Sequence, residues 1–287
     1  MGRIAYVNGR FVPHGEAMVH IEDRGYQLAD AVYEVWAVFG GRLGDAEGHF
    51  ARLERSLSEL SIPMPMSRTA LILVLKEAIR RNRISEGLIY LQVSRGVAPR
   101  QHGFPAELLR PAVVMTVGRV DRAQDEARAA KGVKVITAPE SRWNRCDIKT
   151  VGLLPNALAK QKAREAGAAE AWFVDELGFV TEGASSNAWI LDGEGRLRTR
   201  DTNANILRGI TRHTLLDVIR REGLEVDERP FTPAEAAAAT EAFITGAGSL
   251  VLPVVAVDGR PVGDGKVGPV ASRLRRLYID EAKATAI

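Results

Sequence analysis

The chain has 287 residues, 46% of them hydrophobic and 26% charged, with a net charge of +3 at neutral pH. This is the balance of a globular protein with a full core, and the length suits two modest domains. No stretch reaches the ~18 uninterrupted apolar residues of a membrane helix, and the positive charge forms no basic block interleaved with aromatics, so neither membrane nor nucleic acid is an expected partner. The opening MGRIAYVNGR carries no apolar leader, which makes a cytoplasmic location the expectation. Cys146 is the only cysteine, and the five histidines include no His-x-x-x-His pair. No disulfide framework and no metal site are expected.

In chain order, residues 3–7 and 31–39 are rich in β-branched and aromatic residues and read as strands, with Gly40-Gly41 as a tight turn. Residues 45–60 place Phe50, Leu53, Leu57 and Leu60 on one stripe, and 68–82 read as a second helix. Residues 88–96 and 111–117 look like buried strands. Charge and alanine then break the apolar pattern over 118–132, which places a linker at 119–123 between domains 1–118 and 124–287. Beyond it come a strand at 133–139, a helix at 153–166, strand pairs in 170–182 and 186–200, and a helix at 209–223. A short alanine-rich helix in 234–240, strands at 241–246 and 251–257 and a terminal helix at 269–284 complete the chain. Strand and helix periods alternate without a strict βαβ rhythm, so an α/β protein of mixed α+β kind is expected rather than a doubly wound parallel sheet. There is no GxGxxG after a strand and no Walker loop.

Four places in this frame invite chemistry. Lys149 follows a strand-like approach and precedes a helix, in a chain with 8 lysines against 31 arginines. It is either a solvated loop residue or a desolvated amine able to form a Schiff base. Glu182, in VTEGASSN (180–187), either caps the turn's amides or pairs with the ring nitrogen of a pyridine cofactor. Arg100 and His102, in APRQHGFP (98–105), flank one residue and project to the same side of an extended loop. They form either an ordinary solvated loop or a clamp for a carboxylate. Finally, Arg52 lies on the 45–60 helix, GITRH (209–213) opens another helix with free amides and the Thr211 hydroxyl, and GAGS (246–249) offers backbone amides.

The order and spacing of these pieces resemble the fold-type IV pyridoxal-phosphate enzymes over nearly the whole chain. EDRGYQLADAVYEV (22–35), HFARLERS (49–56), DIKTVGLLPNALAKQKA (147–163), VTEGASSN and LRGITRH (207–213) are similar to the family's successive signatures. The resemblance implies a smaller N-terminal α/β domain and a larger C-terminal pseudo-barrel domain. It implies that Lys149 carries pyridoxal 5'-phosphate as a Schiff base and shuttles the proton, while Glu182 pairs with the pyridine nitrogen. Arg52, Ile210, Thr211, Gly246 and Ala247 would grip the phosphate, with Ser185 and Arg142 beside the cofactor.

Within the family, VSRGVAPRQHGFP (93–105) resembles the loop of D-amino-acid aminotransferases. Tyr33, Arg100 and His102 would then hold the substrate α-carboxylate, with Arg100 and His102 reaching into the partner's site of a homodimer. Ping-pong transamination of D-amino acids with 2-oxo acids, such as D-alanine with 2-oxoglutarate, is the implied activity. Ala29 and Ala31 stand where the family usually has glycine, and Ala247 stands in a stretch where the family often has a hydroxyl residue. The competing expectations are an L-branched-chain or (R)-amine aminotransferase, an aminodeoxychorismate lyase, or a catalytically silent relative that acts as a binding module.

Overall fold

A computed structural model of the chain describes residues 2–202 and 205–287. It divides into two compact units: residues 1–121 with 148–152 and 285–287, and residues 122–147 with 153–284.

The first unit contains β1 (Ile4–Val7), β2 (Arg10–Pro13), α1 (Arg24–Leu28), β3 (Ala31–Phe39), β4 (Arg42–Leu43), α2 (Ala46–Glu59), α3 (Arg68–Asn82), β5 (Gly87–Ser94) and β6 (Ala112–Arg119). Its six strands form one sheet in the order β2-β1-β6-β5-β3-β4, antiparallel throughout. The β3–β4 hairpin turns at Gly40 and Gly41, with φ of 56° and 78°, the paired left-handed conformation that favours glycine at both positions. One face of the sheet receives α2 and α3. Phe50, Leu53 and Leu57 from α2 and Leu71, Leu75 and Ile79 from α3 join Val32, Trp36, Leu91 and Met115 in a single core. Trp36 lies 5.3 Å from Phe50, centroid to centroid, and full burial of such a side chain stabilises the fold by about 2–3 kcal/mol.

The second unit contains α4 (Arg122–Lys131), β7 (Val133–Pro139), α5 (Leu154–Glu165), β8 (Glu170–Val174), β9 (Val180–Gly183), β10 (Asn187–Leu191), β11 (Leu197–Thr199), α6 (Ile210–Arg221), β12 (Val226–Glu228), α7 (Pro233–Ala238), β13 (Glu241–Gly246), β14 (Leu250–Val257), β15 (Arg260–Pro261) and α8 (Pro269–Ala284). The sheet runs β12-β11-β10-β13-β14-β7-β8-β9, with β15 paired to β14. Parallel pairs at β11/β12, β14/β7 and β7/β8 stand among antiparallel ones, as the interspersed periods predict.

Two differences from the sequence reading have local causes. The charged run after β6 is helical from Arg122, because alanine, arginine and glutamate favour helix. Only Ala129 is buried in it, so it shows no apolar stripe to read. The five-residue α1 is too short for periodicity, and Asp23 nucleates it by accepting hydrogen bonds from the Gly25 and Tyr26 amides. Among the described residues, no helix is long and apolar enough to cross a membrane.

Candidate active site

Lys149 belongs to the first unit. Its carbonyl accepts from the Tyr33 amide at 3.0 Å, Thr150 bridges to Val32, and the Val151 amide donates to Ala31. Residues 149–151 thereby line the N-terminal half of β3, whose ladder with β4 covers only Val38 and Phe39. This backbone pairing sets the amine over the Tyr33 ring, with Nζ 4.2 Å from the centroid. Lys149 makes no ion pair among the described residues. Tyr33 is thus brought to Lys149, as one candidate substrate group beside the candidate catalytic amine.

Arg52 is also in this unit but sits inside a network the sequence reading passed over. Glu34 is fully buried and takes the Arg52 fork on both oxygens, Nε at 2.7 Å and Nη2 at 2.8 Å, while His49 Nδ1 lies 2.7 Å from Oε2. His49 and Arg52 share one face of α2 at i and i+3, and Glu34 points from β3 opposite to Tyr33, since successive strand side chains alternate. Burial alone would raise the Glu34 carboxyl, but Arg52 and His49 together bring it down to about 2. Burial holds His49 below its ordinary value despite the pull of Glu34. The ring is therefore neutral at pH 7 and donates its Nδ1–H to an ionised carboxylate, which can only accept. Glu34 is the one charge in AVYEVWAVF, and a lone acid inside an apolar strand was the available signal.

Arg100 and His102 lie on an exposed loop between β5 and β6, in the same unit. Ala29, at the C-cap of α1, has φ 55°, left-handed backbone that costs an L-residue about 1 kcal/mol and explains why glycine suits the position.

Glu182, Ser185, Ile210, Thr211, Gly246 and Ala247 belong to the second unit. Glu182 is the last residue but one of β9 and only 5% exposed. It accepts from Arg142 Nη1, from Asn187 Nδ2 at 3.0 Å and from the Leu207 amide at 3.1 Å. These three donors hold it as an anion in one orientation. Arg142 in turn donates to Glu140 at 2.6 Å and stands over the Phe173 ring. Ser185 donates its hydroxyl to Glu170 at 2.8 Å, alongside Ser186. A Cβ added to Gly246 would lie 3.1 Å from the Ser185 carbonyl, so those two turns are neighbours. Thr211 is buried in the first turn of α6, and the N-cap Gly209 brings no side chain to that turn's amides. Asn187 and Gly209 went unnoticed in sequence. A Cβ on Gly209 would meet Asn187 Oδ1 at 1.9 Å, so the contact requires glycine at that position.

Within each unit the donors suit pyridoxal phosphate. An aldehyde calls for an amine without a carboxylate partner, which Lys149 provides. A pyridine nitrogen calls for a held carboxylate, which Glu182 provides. A phosphate calls for a fixed cation or for uncapped helical amides: Arg52 is such a cation in the first unit, and the start of α6 offers such amides in the second.

Residues 31–257 match the family of class IV amino-transferases. The chain belongs to that family, and is a pyridoxal-phosphate-dependent enzyme exchanging amino groups between amino acids and oxo acids. It is similar to the D-alanine aminotransferase of Bacillus licheniformis, 40% identical over 93% of both chains, and to that of Staphylococcus haemolyticus, 39% identical over 95% of both. In structure it is similar to the T.th. branched-chain amino acid aminotransferase with pyridoxamine 5'-phosphate, with a TM-score of 0.88 and 28% identity, covering 98% of this chain and 94% of that one.

Proposed function

We propose that this chain is a cytoplasmic, homodimeric aminotransferase that moves the amino group of D-amino acids, D-alanine among them, onto 2-oxo acids. The observation that carries the reading is Lys149, an amine without an ion pair set over Tyr33, in a chain about two-fifths identical to D-alanine aminotransferases along nearly its full length. Bound pyridoxal phosphate supplies an aldehyde that condenses with amines and a ring that takes up the electron pair of a broken Cα–H bond.

The chain's own residues do the rest. Lys149 Nζ holds the cofactor between turnovers, takes the α-proton from the substrate and returns it in the transfer. The Tyr33 face beneath it, 4.2 Å from Nζ, positions the amine without competing as a base. Glu182, fixed by Asn187 and Leu207, keeps a proton at the ring nitrogen. Arg52, held in its plane by Glu34, grips the phosphate with the amides of Ile210, Thr211, Gly246 and Ala247, while Ser185 stands beside the cofactor. Tyr33, Arg100 and His102 bind the substrate α-carboxylate, the latter two across the dimer in the partner subunit's site.

The likeness in fold to a branched-chain enzyme favours one second reading, an L-branched-chain aminotransferase. The visible absorption of the purified holoenzyme separates the two. Loss of the cofactor's visible band on adding D-alanine, with no response to L-leucine, is the expected result. A response to L-leucine alone would establish the second reading, and no visible band at all would refute both.

A further inference from the structure

The loop that carries Arg100 and His102 pairs with another segment only at its start, where Val97 bridges to Asp23, and from Pro99 to Arg110 most of it is exposed. An exposed loop of this length fluctuates unless something ties its tip, yet a carboxylate clamp needs its donors fixed to within a few tenths of an ångström. The structure contains such a tie, and none of its anchoring side chains belongs to the clamp.

Arg24, at the start of α1, is only 2% exposed. Its Nη1 donates to the Gln101 carbonyl at 2.7 Å, and its Nη2 approaches the His102 carbonyl at 3.5 Å. These are the carbonyls of the residue between the two clamp residues and of one clamp residue itself. The guanidinium is oriented from behind, because Nε donates to Asp30 at 2.7 Å. Asp30 is shared. It also takes both Nε and Nη2 of Arg95, at 2.7 and 3.0 Å, and Arg95 is fixed further by the Leu60 and Ser61 carbonyls. On its other side the Arg95 guanidinium carbon lies 3.6 Å from the centroid of Phe104, a ring 61% exposed. The loop is thus held at two points, by hydrogen bonds at 101–102 and by stacking at 104. Both lead back to one buried carboxylate flanked by two buried arginines.

The chemistry of this arrangement is specific. A guanidinium presents five donors in a rigid plane, so one arginine can bind Asp30 behind and two successive carbonyls in front. An ammonium has neither the reach nor the plane to do both. A buried arginine whose distal donors go to the backbone of a solvated loop contributes little packing there. Its effect is to set where that backbone runs.

We infer that Arg24, braced by Asp30 and Arg95, is the positioning residue of the substrate-carboxylate loop: it fixes the Gln101–His102 backbone so that Arg100 and His102 converge on one carboxylate. This rests on the proposed role of Arg100 and His102 as the clamp. Arg24 touches neither substrate nor cofactor, so its removal acts on carboxylate recognition and leaves the proton-transfer apparatus of Lys149 intact.

The test compares the wild-type holoenzyme with Arg24→Lys and Phe104→Ala. The readouts are KM and kcat for D-alanine, Ki for propionate as a carboxylate lacking the amine, and the visible spectrum. Arg24→Lys should raise KM and the propionate Ki in parallel by about tenfold, the loss of one hydrogen bond to a charged donor. Its kcat should change by less than about twofold and its spectrum not at all. Phe104→Ala, at an exposed ring whose loss does not threaten folding, should raise the same two constants by a smaller factor. Unchanged KM and Ki in both variants, with an active wild type, would overturn the inference while leaving the aminotransferase reading standing. So would a fall in kcat with loss of the visible band, which would make Arg24 a general support of the fold. If the wild type itself does not respond to D-alanine, the functional reading fails and this inference with it.

Discussion

Replacing Glu34 by glutamine keeps the shape of the side chain and removes its charge. In the wild type that charge is fully buried and answers the Arg52 fork on both oxygens, with His49 as a third donor. After the change Arg52 remains buried beside a neutral amide. The cost can be reached by two routes. The Glu34 carboxyl is brought from 4.5 to about 2, and at 1.36 kcal/mol per pKa unit that is about 3 kcal/mol of differential interaction. Removing one partner of a buried ion pair typically costs about 3–5 kcal/mol. We therefore expect Glu34→Gln to lower stability by about 3 kcal/mol at pH 7, measured by urea denaturation of the cofactor-free protein. The wild type should also lose stability on acidification, and both groups act in the same direction. His49 is held below its ordinary value, so the unfolded chain binds more protons from about pH 6.5 downward; Glu34, also depressed, withdraws its contribution as pH falls from 4.5 toward 2. A Glu34→Gln penalty under about 1 kcal/mol at pH 7, or wild-type stability that stays flat from pH 7 to 4, would refute the network as a source of stability.

Lys149→Ala should reduce turnover of D-alanine by about a thousandfold or more, since covalent attachment and proton transfer lose the same amine; residual turnover near wild type would rule out that role. Arg100→Ala should raise the D-alanine KM by about ten- to a hundredfold while cofactor retention on dialysis is unchanged, and equal loss of both would argue against a carboxylate clamp. Gly209→Ala places a methyl 1.9 Å from Asn187 Oδ1. The displaced amide, which holds Glu182, should cost about 1–3 kcal/mol in stability and weaken cofactor retention, as read by thermal unfolding and by the visible band after dialysis. Burial pushes the Cys146 thiol up to about 11, so iodoacetamide at pH 8 should modify it about a hundredfold more slowly than a free cysteine. Alkylation at the free-thiol rate would contradict that setting.

The elements most legible in the sequence are those whose signal is local. The strands at 31–39 and 133–139 and the helices at 68–82 and 269–284 have the bounds that periodicity predicts, because a buried face repeats every two residues in a strand and every 3.6 in a helix. The Gly40-Gly41 turn was legible for the same reason, since two left-handed residues in succession favour glycine. The signatures around Lys149, Glu182 and Thr211 carried the family, because their spacing along the chain is itself the pattern.

What only the tertiary structure decided is the company each residue keeps. Glu34, His49 and Arg52 meet through a strand and a helix separated by the β3–β4 hairpin, and nothing in their spacing says that one carboxylate answers both. Residues 148–152 join the first unit by pairing along β3, a contact that spans over a hundred residues of chain and has no local trace. Arg24 reaches the Gln101 and His102 carbonyls in the same way, braced by Asp30, which Arg95 shares. The physical reason is common to all three. Periodicity records which face of an element is buried. The partner that satisfies a buried charge or a loop carbonyl comes from a distant segment, and only the folded chain brings it within 3 Å.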